Sequence, residues 1–391
     1  MGKINPFKIS ILMISIIFLL SGMTFAQEEI DIIDEQISKL DFSQVEELLN
    51  SMNRDVEEFI PEFTIDNLIN LIKNKDINYS FKSFFAGVFN YFFKEIIANS
   101  QLLAKLIILA VLLAILQNLQ SAFEKDNISK LAYSVCYLIL IGIIINSFMI
   151  ALSLGKQTIN DMVNFLHAIL PLLLSLLVAL GGFASAAVFH PIIFMTVSGV
   201  GTLIRDILLP LIFLSSILIV VNNITDTFKV SRMSGLLREI SIGLLGFFLS
   251  IFLGVIIIQG AGAAVADGVS VRTAKFATKN FFPIVGGIFA DALDMVIGCS
   301  LLIKNSIGTF GVIVVFLICI FPMIKIISIM VIYKIASALV EPLGETKIVK
   351  CLNDVGNSLT MIFICVSAVA MMLFIAITII IGAGNVMVMM R

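Results

Sequence analysis

Charge is scarce in this chain: Asp, Glu, Lys and Arg together make up 13% of 391 residues, against 59% hydrophobic residues. The 25 cations and 27 anions nearly cancel to a formal charge of −2, which gives no basic surface for nucleic acid and no basic membrane patch. Histidine occurs twice, at His167 and His190, each alone in an apolar run. There is no HExxH segment and no GxxxxGK[ST] phosphate loop. Two intramembrane protease patterns also fail. The stretch TVSG, Thr196 to Gly199, lacks the leading glycine of a GxSG motif, and Asp291 with Asp294 stands in one helix without a GxGD pattern. The five cysteines, Cys136, Cys299, Cys319, Cys351 and Cys365, are scattered through apolar runs or a cytoplasmic turn. That excludes a disulfide framework and a cysteine metal site. We expect no catalytic residue, no metal and no cofactor.

What the chain has in quantity is apolar length. Its mean hydropathy is +1.09, and its apolar runs repeatedly approach or pass the roughly 20 residues that cross a bilayer, so the chain reads as an all-α polytopic membrane protein. The first 26 residues begin with Lys3 and Lys8, continue through an apolar stretch from Ile9 to Leu20, and end at Thr24-Phe25-Ala26. This is the pattern of a signal peptide over 1–26, with a retained first helix as the rival reading. On either reading the segment after residue 26 is exported.

Residues 27–78 invert the composition. From Gln27 to Asp76 there are fourteen carboxylates against Lys39, Arg54, Lys73 and Lys75. Ile30, Ile33, Ile37 and Leu40 fall at helical spacing, as do Val45, Leu48, Leu49, Met52, Val56 and Phe59. Ser43 with Glu46 forms a capping box for the second pattern. The segment reads as a small exported helical domain, the alternative being an acidic spacer. Residues 79–100 carry Phe81, Phe84, Phe85, Val88, Phe89 and Phe92 on one helical face, which suits a helix lying in the headgroup region or an extension of the first span. Residues 101–155 then hold two spans, near Leu102 to Leu119 and Leu131 to Leu154.

Sliding the chain along itself by 112 residues brings Pro171 onto Pro283, Gly199 onto Gly311 and Pro210 onto Pro322. The turns Leu237 to Ile240 and Leu352 to Val355 match at 115. We expect a parallel duplication, 156–266 and 267–391, with the four prolines as hinge or helix-break candidates. In each half the run around the second proline reads as two short pieces, Ile192 to Ile204 and Ile207 to Val221 and their counterparts between Ser306 and Val331. They are either kinked helices or segments dipping toward a mid-membrane site. The total comes to about eight to ten membrane segments. With an exported N-terminus, Lys125, Lys130, Lys229, Arg232, Arg238, Lys347 and Lys350 fall in the cytoplasm, in accord with the positive-inside rule. Arg272, Lys275 and Lys279 fall outside, against it.

That exceptional segment reads RTAKFATKNFFPIVGGIFADALD, Arg272 to Asp294. Arg272, Lys275 and Lys279 share one helical face, as expected of an interfacial helix that docks on a membrane surface or partner. Asp291 and Asp294, three apart in an apolar run, line a bundle interior, conduit or subunit seam, or else sit at a membrane edge facing water. With the residues before it, GAGAAVADGVSV, the segment resembles the signature region of the stage III sporulation protein AE family of spore-forming Firmicutes, and the rest of the chain agrees. The resemblance implies a multi-pass protein of the mother-cell membrane surrounding the forespore. It implies a subunit of a channel or secretion complex needed for late forespore gene expression, with other membrane proteins of that complex and the bilayer as partners. It supplies no catalytic residue. The alternative is a self-contained secondary transporter with a cation- or proton-coupled site at Asp291 and Asp294.

Overall fold

The computed structural model describes residues 35, 37, 40–47, 81–122, 127–222, 230–281, 285–343 and 346–389. The expected signal peptide, nearly all of 27–78, and Pro283 lie outside them. Within the acidic segment, residues 43–47 form a helical turn. Its cap differs from the expected box: the Ser43 N–H and Oγ–H both donate to Oδ1 of Asp41, at 3.0 and 2.6 Å. These bonds to the ionised form hold the Asp41 carboxyl below the ordinary carboxylate range. Ile37 and Val45 are buried in the same apolar cluster as the long helices.

Among the described residues, eight longer α-helices come next: α1 (Phe81–Ala98), α2 (Ser100–Ala122), α3 (Asn127–Ala179), α4 (Phe183–Leu203), α5 (Leu209–Asn222), α6 (Ser231–Phe281), α7 (Val285–Val340) and α8 (Thr346–Met389). A π-helical turn, Ile204–Leu208, joins α4 to α5, and a 3₁₀ turn, Glu341–Leu343, ends α7 at Pro342. No strand occurs among the described residues. Lipid offers no partner to a backbone N–H or C=O, so a chain this apolar satisfies both within its own helices.

The described residues hold six candidate spans, where the sequence leads to an expectation of about eight to ten membrane segments for the chain. The pieces around Pro210 form one helical path from Phe183 to Asn222, and their counterparts between Ser306 and Val331 lie within unbroken α7. α3 runs unbroken through 155 and 156, and α6 through 266 and 267. Arg272, Lys275 and Lys279 therefore ride on the last turns of α6 rather than on a helix of their own. The helices are also long. With 53, 51 and 56 residues, α3, α6 and α7 reach about 75 to 85 Å, more than twice the ~30 Å hydrocarbon core.

The densest packing is between α7 and α8, with α3 laid against both. Gly308 and Gly311 make this approach close: a Cβ on the first would strike Ile381 of α8, and on the second Ile169 of α3. The paths α4–α5 and α6 cover the other side of α8. On α1, Val88, Tyr91 and Phe92 pack onto Leu317, Phe321 and Ile324 of α7, with the Tyr91 and Phe321 rings edge-to-face at 5.0 Å. Phe85 and Phe89 stay exposed. A turn at Asn99 separates α1 from α2.

Candidate functional site

Among the described residues, the largest concentration of polar side chains at apolar depth lies where α3 meets α4 and the π turn. On α3, Ser153, Gln157, Asn160, Asn164 and His167 recur every three or four residues and so share a face. Opposite them stand Ser198, Thr202, Arg205 and Asp206. The Arg205 guanidinium donates to both carboxylate oxygens of Asp206, at 2.9 and 2.8 Å, and through Nη1 to Oδ1 of Asn160 at 2.9 Å. His167 Nε2 and Ser198 Oγ are 2.6 Å apart, a hydrogen bond between α3 and α4. The Phe194 ring stacks on His167 at 4.2 Å between centroids and on His190 at 6.3 Å.

Local sequence explains the geometry. Gly201 lets α4 approach, since a Cβ there would meet Val163 Cγ2 of α3 at 2.9 Å. Pro210 has no N–H, and its ring crowds the carbonyl four residues back, that of Asp206. The helix widens just before it: the Leu209 N–H bonds to the Ile204 carbonyl five residues earlier, a π turn that shifts the register beneath Arg205 and Asp206. The break expected at this arginine–aspartate pair is therefore a widened turn in a continuous helix.

Depth comes from the neighbours. Gly155 of α3 faces Ile362 and Val366 of α8, and Gly311 of α7 faces Ile169 of α3 and Ile377 of α8. Facing the Asn160 to His167 part of the seam, α7 carries no charged residue from Ser306 to Ile324, with Lys325 level with its Gly155 end, and α8 carries none from Met361 to Met389. The seam thus lies deep in the apolar zone, and it opens outward: Gln157, Asn164, Thr202 and Asp206 are exposed, while Asn160, His167, Ser198 and Arg205 are half-buried. A hydroxyl next to an imidazole is also the contact of a nucleophile with its base. Here, among the described residues, the other ring nitrogen of His167 has no hydrogen-bond partner to orient it, and the ring is held by Phe194. The hydrogen bond joins α3 to α4.

A second polar cluster is closed. Lys304 of α7 is fully buried and donates to the Ile381 carbonyl of α8 at 3.2 Å. The Asn305 amide donates to Asn385 Oδ1 at 3.2 Å, and its own Oδ1 is buried without a partner among the described residues. Gly384 makes room, since a Cβ there would strike Lys304 Nζ and approach Leu180 at 3.0 Å. Leu180 opens the turn between α3 and α4, where Gly181 takes φ 89°, the left-handed conformation that favours glycine at a helix end. Beyond that turn the N-terminus of α4 is capped from α6: the Ala184 and Ser185 N–H groups donate to the buried Asp267 carboxylate at 3.0 and 2.7 Å. A carboxylate suits the positive end of a helix.

The charged residues singled out from sequence fall elsewhere. Asp294 is exposed on α7, with Asp291 one turn earlier on the same helix, and Arg272 is exposed on α6. None of them joins the seam. Pro171 and Pro322 sit inside α3 and α7, and Pro191 inside α4 is a further internal proline. Asn160 and the pairing of His167, a residue solitary in its own apolar run, escape a reading of the sequence. The three- and four-residue recurrence from Ser153 to His167 is the signal that could have found them. Among the described residues, no group of three or more His, Cys, Asp or Glu could hold a metal ion.

Fold and site together define an all-α, multi-pass membrane protein with a charged seam exposed at apolar depth. A family model described as Stage III sporulation protein AE (spore_III_AE) matches residues 63–384. The chain is 43% identical over 354 residues to stage III sporulation protein AE of Bacillus subtilis (strain 168), a match covering 90% of this chain and 88% of that one. The chain belongs to the stage III sporulation protein AE family. No solved structure matches it.

Proposed function

We propose that this chain is a membrane subunit of the complex joining mother cell and forespore, part of a channel or secretion route needed for late forespore gene expression. Its N-terminal segment is exported, and its helices lie in the mother-cell membrane around the forespore. Its role is structural and conducting rather than enzymatic. Membership of a sporulation family over nearly the whole chain supports this reading. The observation that carries the membrane-complex part is the outward-facing seam, because lipid cannot satisfy Arg205, Asp206 and Asn164 and another protein or enclosed water can.

The test is a pull-down of the tagged chain from engulfed sporangia. A set of membrane proteins should come with it, and a chain recovered by itself would overturn the reading in favour of an autonomous transporter. Reporter fusions check orientation: a reporter after Asp76 should work only outside the cytoplasm, and one between Asn222 and Arg238 only inside.

A further inference from the structure

We propose that the seam of α3 and α4 is the contact between neighbouring copies of this chain, with the α3 side of each copy meeting the π turn of the other.

Several observations converge on a second copy as occupant. At apolar depth the seam presents cation and anion side by side. Asp206 is held by Arg205, but its side chain remains 49% exposed and can accept from outside. Lys156 lies on α3 one turn from Asn160, which bonds Arg205, and its ammonium is within electrostatic reach of Asp206. Among the described residues Lys156 nevertheless forms no ion pair of its own. Lys156 and Asp206 thus attract each other without closing into an ion pair, and each keeps polar valence that a second chain can meet.

Copies in one membrane, inserted the same way, are related by rotation about an axis along the bilayer normal, and that rotation preserves depth. A charge on one copy can therefore pair only with an opposite charge at the same depth on the next. Lys156 and Asp206 meet this condition on two different helices at the edge of the bundle. A two-fold contact brings Lys156 of each copy to Asp206 of the other, with the exposed amides and hydroxyl of Gln157, Asn164 and Thr202 beside them. Helix length points the same way. Exposed apolar side chains run along α3 from Leu131 to Ile150 and continue at Phe183, Phe194 and Met195 of α4, over a distance that a ~30 Å hydrocarbon layer cannot cover. Protein must cover part of this edge. The contact is read from the chain itself and does not depend on which other proteins the complex contains.

The test uses the full chain expressed by itself in a bacterial host that does not form spores. Two tagged forms, Asn164→Cys and Thr202→Cys, are mixed in one membrane and oxidised. The native cysteines are buried or half-buried, so the untouched chain supplies the baseline. Cross-linked product should exceed that from an Ile364→Cys control, exposed on α8, by about tenfold or more. Lys156→Asp, and separately Asp206→Lys, should cut the product by about tenfold, because like charges then face each other across the contact. Mixing Lys156→Asp copies with Asp206→Lys copies should restore it, since every contact between unlike copies then pairs opposite charges. If Lys156→Asp lowers the protein level, Lys156→Gln at normal level should still reduce the product. The proposal fails if the seam cysteines cross-link no better than the control. It fails in that case whether a water-soluble maleimide labels them, which would mark an open aqueous face, or leaves them protected, which would mark lipid or another protein. It fails equally if the mixed charge variants are not restored.

Discussion

The seam at Arg205 and the cluster at Lys304 both place charge and amide groups at apolar depth, yet they answer the cost in opposite ways. The Lys304 cluster is closed. Its ammonium is fully buried, it donates to a carbonyl of the facing helix, and Gly384 is hollowed to receive it. The Arg205 seam satisfies part of its hydrogen bonding within the chain and leaves the rest facing outward. A polar group that finds its partners inside holds one chain together. A polar group that shows itself to lipid needs something beyond the chain, so the first cluster should govern stability and the second assembly.

Substitutions can break or sharpen that contrast. The largest effect is expected from Gly384→Val, which pushes the Lys304 ammonium off its carbonyl where no water can replace it. Thermal unfolding of the purified chain in detergent should show a loss of about 3 kcal/mol. Lys304→Met removes the charge along with its need for a partner and should stay within about 1 kcal/mol of the unaltered chain. A large loss of stability from this variant would mean that the ammonium is a stabilising group rather than a tolerated one. Next comes Asn385→Leu, which leaves the Asn305 amide buried without an acceptor and should cost about 1 to 3 kcal/mol in the same measurement. Asp267→Ala strips the cap from α4 and should cost about 1 to 2 kcal/mol, with amide exchange rising first at Ala184 and Ser185. The smallest change in single-chain stability, under about 1 kcal/mol, is expected for Lys156→Gln and Asp206→Asn, which alter exposed or half-buried groups. Those two should nevertheless reduce recovery of assembled material from membranes. If they unfolded the chain while Gly384→Val left it intact, the division between stability and assembly would be reversed.

Much of this architecture is legible in the order of residues. Long apolar runs force helices and a membrane. The phenylalanine stripe of 81–92 marks a helix that packs partly on protein, with Tyr91 and Phe92 finding α7. Pro210 reads as a break, and it does disturb the helix, but a helix in lipid cannot leave its backbone groups free, so it widens into a π turn. The expected breaks near Pro210 and Pro322 are, for the same reason, places where the backbone stays hydrogen-bonded. Asp267 stands inside the segment that carries the family resemblance, yet nothing local reveals its role. Its partners at Ala184 and Ser185 lie more than eighty residues away along the chain.

By itself the sequence determined the solvent, the helical class and the family, because each follows from composition, period or a contiguous motif. It also determined that Ser153, Gln157, Asn160, Asn164 and His167 would share a side of α3, since the helical repeat alone places them there. Only the tertiary structure decided that this side would meet Ser198 and Arg205, that Gly201 would let α4 come close enough for the contact, and that Lys304 would point inward while Asp206 points out. A helix's period says which residues share a face. Which face meets which neighbour depends on packing between helices remote in sequence, at glycines whose missing side chains matter only once the other helix is in place.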